Sequence, residues 1–206
     1  MDPKEGRMKI VSIALVIALA GGLCAFAASG RGGTAAPAAA QKDVAVVYGS
    51  RYGSTAQTAE WIAAGMGGRA AVLAAKDAKD LSGYKHLVLG SGIYGDQLHA
   101  DMTAFLEKHG EEVKDKLVAL FVVCGTPPDQ AGGYLDMFAG KCGVKPLLAQ
   151  VFGGWQKKEL LSAEDYAGLE KYYKSVNFPF ENYDHTDKDQ CVEFGKEVLE
   201  KIGKMR

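Results

Sequence analysis

The sequence predicts an α/β domain built on a doubly wound parallel sheet of five strands, and three observations carry that prediction. Short runs rich in Val, Leu and Ala alternate with amphipathic stretches from residue 43 to residue 203. Near-continuous apolar strands are buried on both faces, which a parallel sheet covered by helices on each side provides. The chain has 206 residues, enough for one domain with a core of its own. Its three most irregular loops each follow a strand, at the sheet edge where doubly wound proteins bind ligands.

Each element follows from its own pattern. "DVAVVYG" (43–49) is a buried first strand, and "TAQTAEWIAAGM" (55–66) a helix with Ala59, Ile62, Ala63 and Met66 on one face. "RAAVLAA" (69–75) is the second strand, joined by "AKDAKDLSG", long enough for only a turn of helix, to the third, "YKHLVLGSG" (84–92). "LHADMTAFLEKHGEEV" (98–113) sets Leu98, Met102, Phe105 and Leu106 at helical spacing. "DKLVALFVVCGT" (115–126) is the fourth strand, "GGYLDMFAGKCG" (132–143) a short helix and "VKPLLAQVFGG" (144–154) the fifth strand. "KDQCVEFGKEVLEKIG" (188–203) closes the domain as a helix that Gly203 is expected to stop.

The first 42 residues are of another kind. Lys4, Arg7 and Lys9 precede a run of 19 uncharged residues, 10–28, and then comes the small-residue linker "SGRGGTAAPAAAQK" (29–42). The basic flank, apolar run and Ala25-Phe26-Ala27 fit a secretory signal peptide. The run also has the length of a membrane anchor. On either reading the basic flank stays inside and the domain, 43–206, lies outside the cytoplasm, in the periplasm or at the cell surface.

The loop "GSRYGST" (49–55) leads from a strand into a helix N-terminus, where free N–H groups and the helix dipole favour an anion. Gly53 permits a tight turn, Ser50, Ser54 and Thr55 add hydroxyls, and Arg51 adds charge, so the expected ligand is a phosphate. The plainer reading is a helix start capped by Ser54 or Thr55. A Walker loop needs Gly-Lys-Ser/Thr, and no lysine stands here, so ATP hydrolysis is not expected. Gly90-Ser91-Gly92-Ile93-Tyr94-Gly95 matches GxGxxG literally. It lies outside the first βαβ unit, and its helix is expected only from Leu98, so it does not read as a dinucleotide fingerprint.

Ser50-Arg51-Tyr52-Gly53-Ser54-Thr55 is similar to the flavodoxin phosphate loop, Ser/Thr-x-Thr-Gly-x-Thr, with Tyr52 where a threonine is usual. With "GSGIYG" and "FLEKHGEEVKDKLVALFVVCGT", the chain resembles more closely a flavodoxin-like branch that includes the menaquinone-dependent protoporphyrinogen dehydrogenases, over roughly residues 43–203. It departs from that branch in lacking an arginine between Ile93 and Tyr94, in Gly92 for a serine, and in having no basic stretch at 153–168. The resemblance implies FMN, with its phosphate on Ser50, Arg51, Tyr52, Gly53, Ser54 and Thr55. Its ring would lie between Ser91, Gly92, Ile93, Tyr94 and Gly95 on one side and Cys124, Gly125 and Thr126 on the other. Tyr94 is the expected stacking partner, or else an ordinary half-buried loop tyrosine. The implied function is a redox one: a flavin-dependent oxidoreductase passing electrons to a quinone, or a carrier serving a redox partner protein. A flavin-free interaction module on the same scaffold is the remaining alternative. No side chain is assigned as acid or base, because the flavin carries the chemistry.

Formal net charge is −1, so no basic field points to nucleic acid. Past residue 28 there are 21 basic and 23 acidic residues, a near-balance unlike a strongly acidic shuttle. Cys24, Cys124, Cys142 and Cys191 form no metal-ligand spacing; Cys142 and Cys191 are expected at opposite ends of the sheet and unpaired. Residues 152–183 hold eight of the chain's 19 aromatic residues. Within them "SAEDYAGLEKYYKSV" (162–176) is a helix with Ser162 and Asp165 spaced as a capping box. That segment is either a satellite hydrophobic cluster or a lid or docking surface beside the flavin.

Overall fold

The computed structural model describes residues 42–205. The expected signal or anchor (1–28) and the linker up to residue 41 lie outside the described residues. The domain runs β1 (Val44–Gly49), α1 (Ser54–Gly65), β2 (Ala70–Ala74), β3 (His86–Tyr94), β4 (Gln97–Leu98), α2 (Ala100–Lys116) and β5 (Leu117–Cys124). Then come α3 (Gly132–Cys142), β6 (Leu148–Gly153), β7 (Trp155–Gln156), a 3₁₀ turn at Lys158–Leu160, α4 (Ala163–Ser175), β8 (Tyr183–Asp184) and α5 (Lys188–Lys204).

Five strands form the doubly wound sheet in the order β2-β1-β3-β5-β6, all parallel. Successive residues of a strand point to opposite faces, and β5 shows it. Leu120 and Val122 enter a core with Met102, Phe105 and Phe138 of α2 and α3. Phe121 and Val123 enter the other core, with Ile62, Phe194 and Val198 of α1 and α5. Every residue of β5 is buried, as a central strand covered on both sides requires. The order reverses between β1 and β3, so their C-terminal ends open the crevice in which such sheets place ligands.

Three expectations need correction. The third strand, expected to end at Gly92, runs on through Ile93 and Tyr94: Ser91 and Gly92 pair with Val122 and Val123, and Ile93 and Tyr94 pair antiparallel with Leu98 and Gln97 of β4. The turn between is Gly95-Asp96, both at positive φ (54° and 60°), the requirement of a tight two-residue hairpin. Leu98 consequently belongs to β4, and α2 opens behind His99, whose ring Nδ1 accepts from the Asp101 N–H. Helix α5 runs through Gly203 to Lys204, because Gly203 does not take the left-handed conformation that ends a helix. Between β2 and β3 there is a turn and no helix. Among the described residues, no helix is long and apolar enough to cross a membrane.

Candidate functional site

At the end of β1 the chain turns through residues 50–53 into α1. Ser50 Oγ accepts from the Gly53 N–H at 3.1 Å, and Gly53 has φ 92°, which only glycine adopts without strain. Neither Ser54 nor Thr55 caps the helix; Gly53 stands at the cap position with no side-chain bond. The α1 N-terminus therefore keeps donors that its own sequence does not satisfy. Thr55 is fully buried, and its Oγ1 has no hydrogen-bond partner among the described residues. An unpaired buried hydroxyl is costly, so its position at a helix N-terminus suits a ligand that accepts hydrogen bonds. The donor set is that of a phosphate or similar anion site.

A cavity of about 400 Å³ opens beside this loop. It lies among the C-terminal ends of β1, β3 and β5 and the late segment from Gly154 to Tyr183. Of the expected site residues, Arg51, Tyr52 and Ser54 line it from the first loop. Ile93, Tyr94 and Gly95 line it from the β3 hairpin, and Cys124 and Gly125 from the end of β5. Ser50, Gly53, Thr55, Ser91, Gly92 and Thr126 do not line it. Ser91 is buried, with its Oγ accepting from the His99 N–H at 2.9 Å, so it fixes the start of α2.

Tyr94 has different neighbours from those expected of a free wall. Its ring stands edge-on to Tyr52 and His99, with the Arg51 guanidinium 5.0 Å from the ring centre. Its hydroxyl oxygen accepts from the Arg51 N–H at 2.9 Å. Burial raises the Tyr94 pKa, against the opposing pull of the Arg51 and Tyr52 N–H groups, the Arg51 charge and the Ser50 hydroxyl.

The late segment closes the other side. Trp155 Nε1 donates to the Tyr52 carbonyl at 2.9 Å, and Lys157 lies 4.0 Å from the Trp155 ring centre. Asp165 takes Arg51 Nη1 at 2.7 Å and also accepts from the Tyr52 hydroxyl. These two donors, Tyr52 foremost, hold the Asp165 carboxyl below its ordinary range although burial opposes them. Ser162 caps α4 by accepting from the Asp165 N–H, the bond its spacing predicts. Tyr183 packs over Gly125, and burial pushes its pKa up to about 12. Trp155, Asp165, Leu169 and Tyr183 were not assigned to the site from sequence. The density of aromatics marked their segment, but nothing in one chain tells which distant loop such a segment will cover.

The thiols are quiet. Cys124, Cys142 and Cys191 are free and buried, and burial raises all three pKa values, the last two to about 12. Cys142 belongs to one core and Cys191 to the other, on opposite faces of the sheet.

The flavodoxin domain model matches residues 45–165, more than half of the chain, and the chain belongs to this family. Among solved structures it is similar to oxidised flavodoxin 1 from Bacillus cereus (18% identity, TM-score 0.50, covering 76% of this chain and 97% of that one). It is also similar to the two-electron reduced flavodoxin of Megasphaera elsdenii (17%, 0.50, 76% and 98%). The flavodiiron core of Flv1 from Synechocystis aligns at 15% identity and TM-score 0.51, over 82% of this chain and 38% of that one. At such identities the likeness concerns the fold. No curated protein sequence matches the chain.

Proposed function

We propose that the domain binds FMN and works as a redox protein, with the flavin phosphate on the loop 50–55. The observation that carries this reading is the buried, unpartnered Thr55 hydroxyl at the α1 N-terminus, beside a cavity of ligand size. The N–H groups of residues 51–55 and the hydroxyls of Ser54 and Thr55 would hold the phosphate. Residues of the β3 hairpin, the end of β5 and Trp155 would enclose the rest. When bound, FMN supplies one- and two-electron transfer; the chain supplies grip, exclusion of water and local charge.

The late segment favours an oxidoreductase over an open shuttle, because it covers the cavity that a shuttle would present to its partner. A dehydrogenase of the protoporphyrinogen type, delivering electrons to a quinone, is the enzyme form of this proposal. A carrier serving a redox partner protein is the other. The sequence of residues 1–28 further supports a location outside the cytoplasm, secreted or anchored in the membrane. A reporter fused after Arg206 tests it: activity confined to the cytoplasm contradicts it.

The visible spectrum of the purified full-length chain, after incubation with FMN and gel filtration, tests the flavin reading. A retained flavin spectrum supports it; a colourless protein that also fails to bind FMN in titration leaves the interaction module.

A further inference from the structure

We propose that Tyr94 is a gate on the anion site: its hydroxyl holds the Arg51 N–H of the first loop until a phosphate group displaces it. This rests on reading the loop as a phosphate site and adds a selection step to it. The geometry has three parts. The Arg51 N–H, an anion-loop donor, is spent on the Tyr94 hydroxyl at 2.9 Å. The Thr55 hydroxyl stays unpartnered close by. A Cβ placed on Gly92 would lie 2.9 Å from both the Tyr94 hydroxyl and Thr55 Oγ1, and 2.8 Å from Tyr94 Cε2. The phenol and the threonine therefore converge on one small space, which exists because residue 92 has no side chain.

A phosphate on the Arg51 N–H and the Tyr94 hydroxyl on the Arg51 N–H exclude one another. The contest has a definite outcome. A neutral phenol makes neutral hydrogen bonds, whereas a phosphate makes charge-assisted ones, roughly twice as strong. A phosphorylated ligand therefore opens the gate, and an unphosphorylated one does not. Tyr94 already lines the 400 Å³ cavity and sits beside the exposed Gly95-Asp96 turn, so the ring has space to swing towards that cavity. The closed pose also lowers apparent affinity, because a site that is competent only part of the time binds in proportion to that fraction.

Calorimetric titration of the full-length chain with inorganic phosphate tests the gate, using wild type, Tyr94→Phe and Gly92→Ala. Tyr94→Phe keeps the ring and loses the competing oxygen, so phosphate should bind about tenfold more tightly. Gly92→Ala sets a methyl group 2.9 Å from Thr55 Oγ1 as well as from the Tyr94 hydroxyl, so it fills the space on which the two converge and should weaken phosphate binding. Wild type should show a tyrosine difference spectrum on adding phosphate, and Tyr94→Phe should lack it. Unchanged or weaker phosphate binding in Tyr94→Phe overturns the gate, as does wild-type phosphate binding without a tyrosine signal, or no phosphate binding by any of the three. FMN titrated in parallel separates the two ideas. If phosphate follows the expected pattern and FMN does not bind, the gate stands and the flavin reading falls. If FMN binds equally to wild type and Tyr94→Phe, the flavin reading stands and the gate falls.

Discussion

Two helices of nearly equal length flank the candidate site, and they are held in opposite ways. Helix α1, 12 residues long, buries Ser54, Thr55, Thr58, Ala59 and Ile62. Helix α4, 13 residues long, buries none. The first is part of the sheet's core; the second is fastened by the Arg51–Asp165 pair, the Tyr52 hydroxyl and a small aromatic cluster in which Phe180 stacks on Tyr173 and meets Tyr166 edge-on. Apolar burial fixes the fold, whereas polar clamps with little burial mark regions that open at low cost. The clamp acts on Arg51 and Tyr52, both in the first loop, so the covering segment and the candidate anion site are mechanically linked.

The contrast breaks if the two regions lose stability together. Phe121 is fully buried in β5, and Phe121→Ala should cost about 3–5 kcal/mol in urea unfolding of the whole domain. Phe180→Ala should instead raise hydrogen exchange in α4 and leave the sheet protected. Equal loss of protection in both regions would remove the distinction.

Thr55→Val tests the buried side of the site. It removes an unpartnered hydroxyl at constant shape, so the ligand-free protein should be as stable as wild type or slightly more so. Phosphate or FMN binding should weaken by about 1.5–3 kcal/mol, the loss of one charge-assisted bond. A large loss of ligand-free stability would mean that the hydroxyl serves the fold.

On the other side, Asp165→Asn should release α4 at a cost of about 1 kcal/mol, the upper end for a part-exposed pair. The pH dependence has a definite sign. Asp165 has its carboxyl pKa lowered in the folded state, so its contribution is complete above the unfolded value of about 4. It is lost as pH falls through the lower folded value. Protection factors in α4 should fall below about pH 4 and stay flat from pH 5 to 8; a transition near neutrality would assign the clamp to another group. Tyr172→Ala, at an exposed position of α4, should change stability by less than about 0.5 kcal/mol by the same unfolding assay.

The core helix and the clamped helix also differ in how far they could be read from sequence. Strands 43–49 and 115–126 announce themselves as apolar runs, and their pairing follows from the need to cover both faces. The loop 50–55 was legible because its glycine and hydroxyls lie together in sequence. The Ser162–Asp165 cap was legible for the same reason. The hairpin is hard to read because the small residues Ser91 and Gly92 interrupt the apolar run of β3 before Ile93 and Tyr94, although Gly95-Asp96 is a turn pair. What could not be read was long-range: Trp155 donating to Tyr52, Asp165 reaching Arg51, and the Tyr94 hydroxyl on the Arg51 N–H, which is 43 positions away. Polar contacts between distant loops leave no periodic trace.

If the first loop anchors a phosphate, it separates FMN from riboflavin, since the two differ only in the phosphate. Titrated by flavin fluorescence against the full-length chain, FMN should bind at least about a hundredfold more tightly, the worth of two charge-assisted hydrogen bonds. Riboflavin binding as tightly as FMN, or binding of neither, would show that the loop is no phosphate anchor for a flavin.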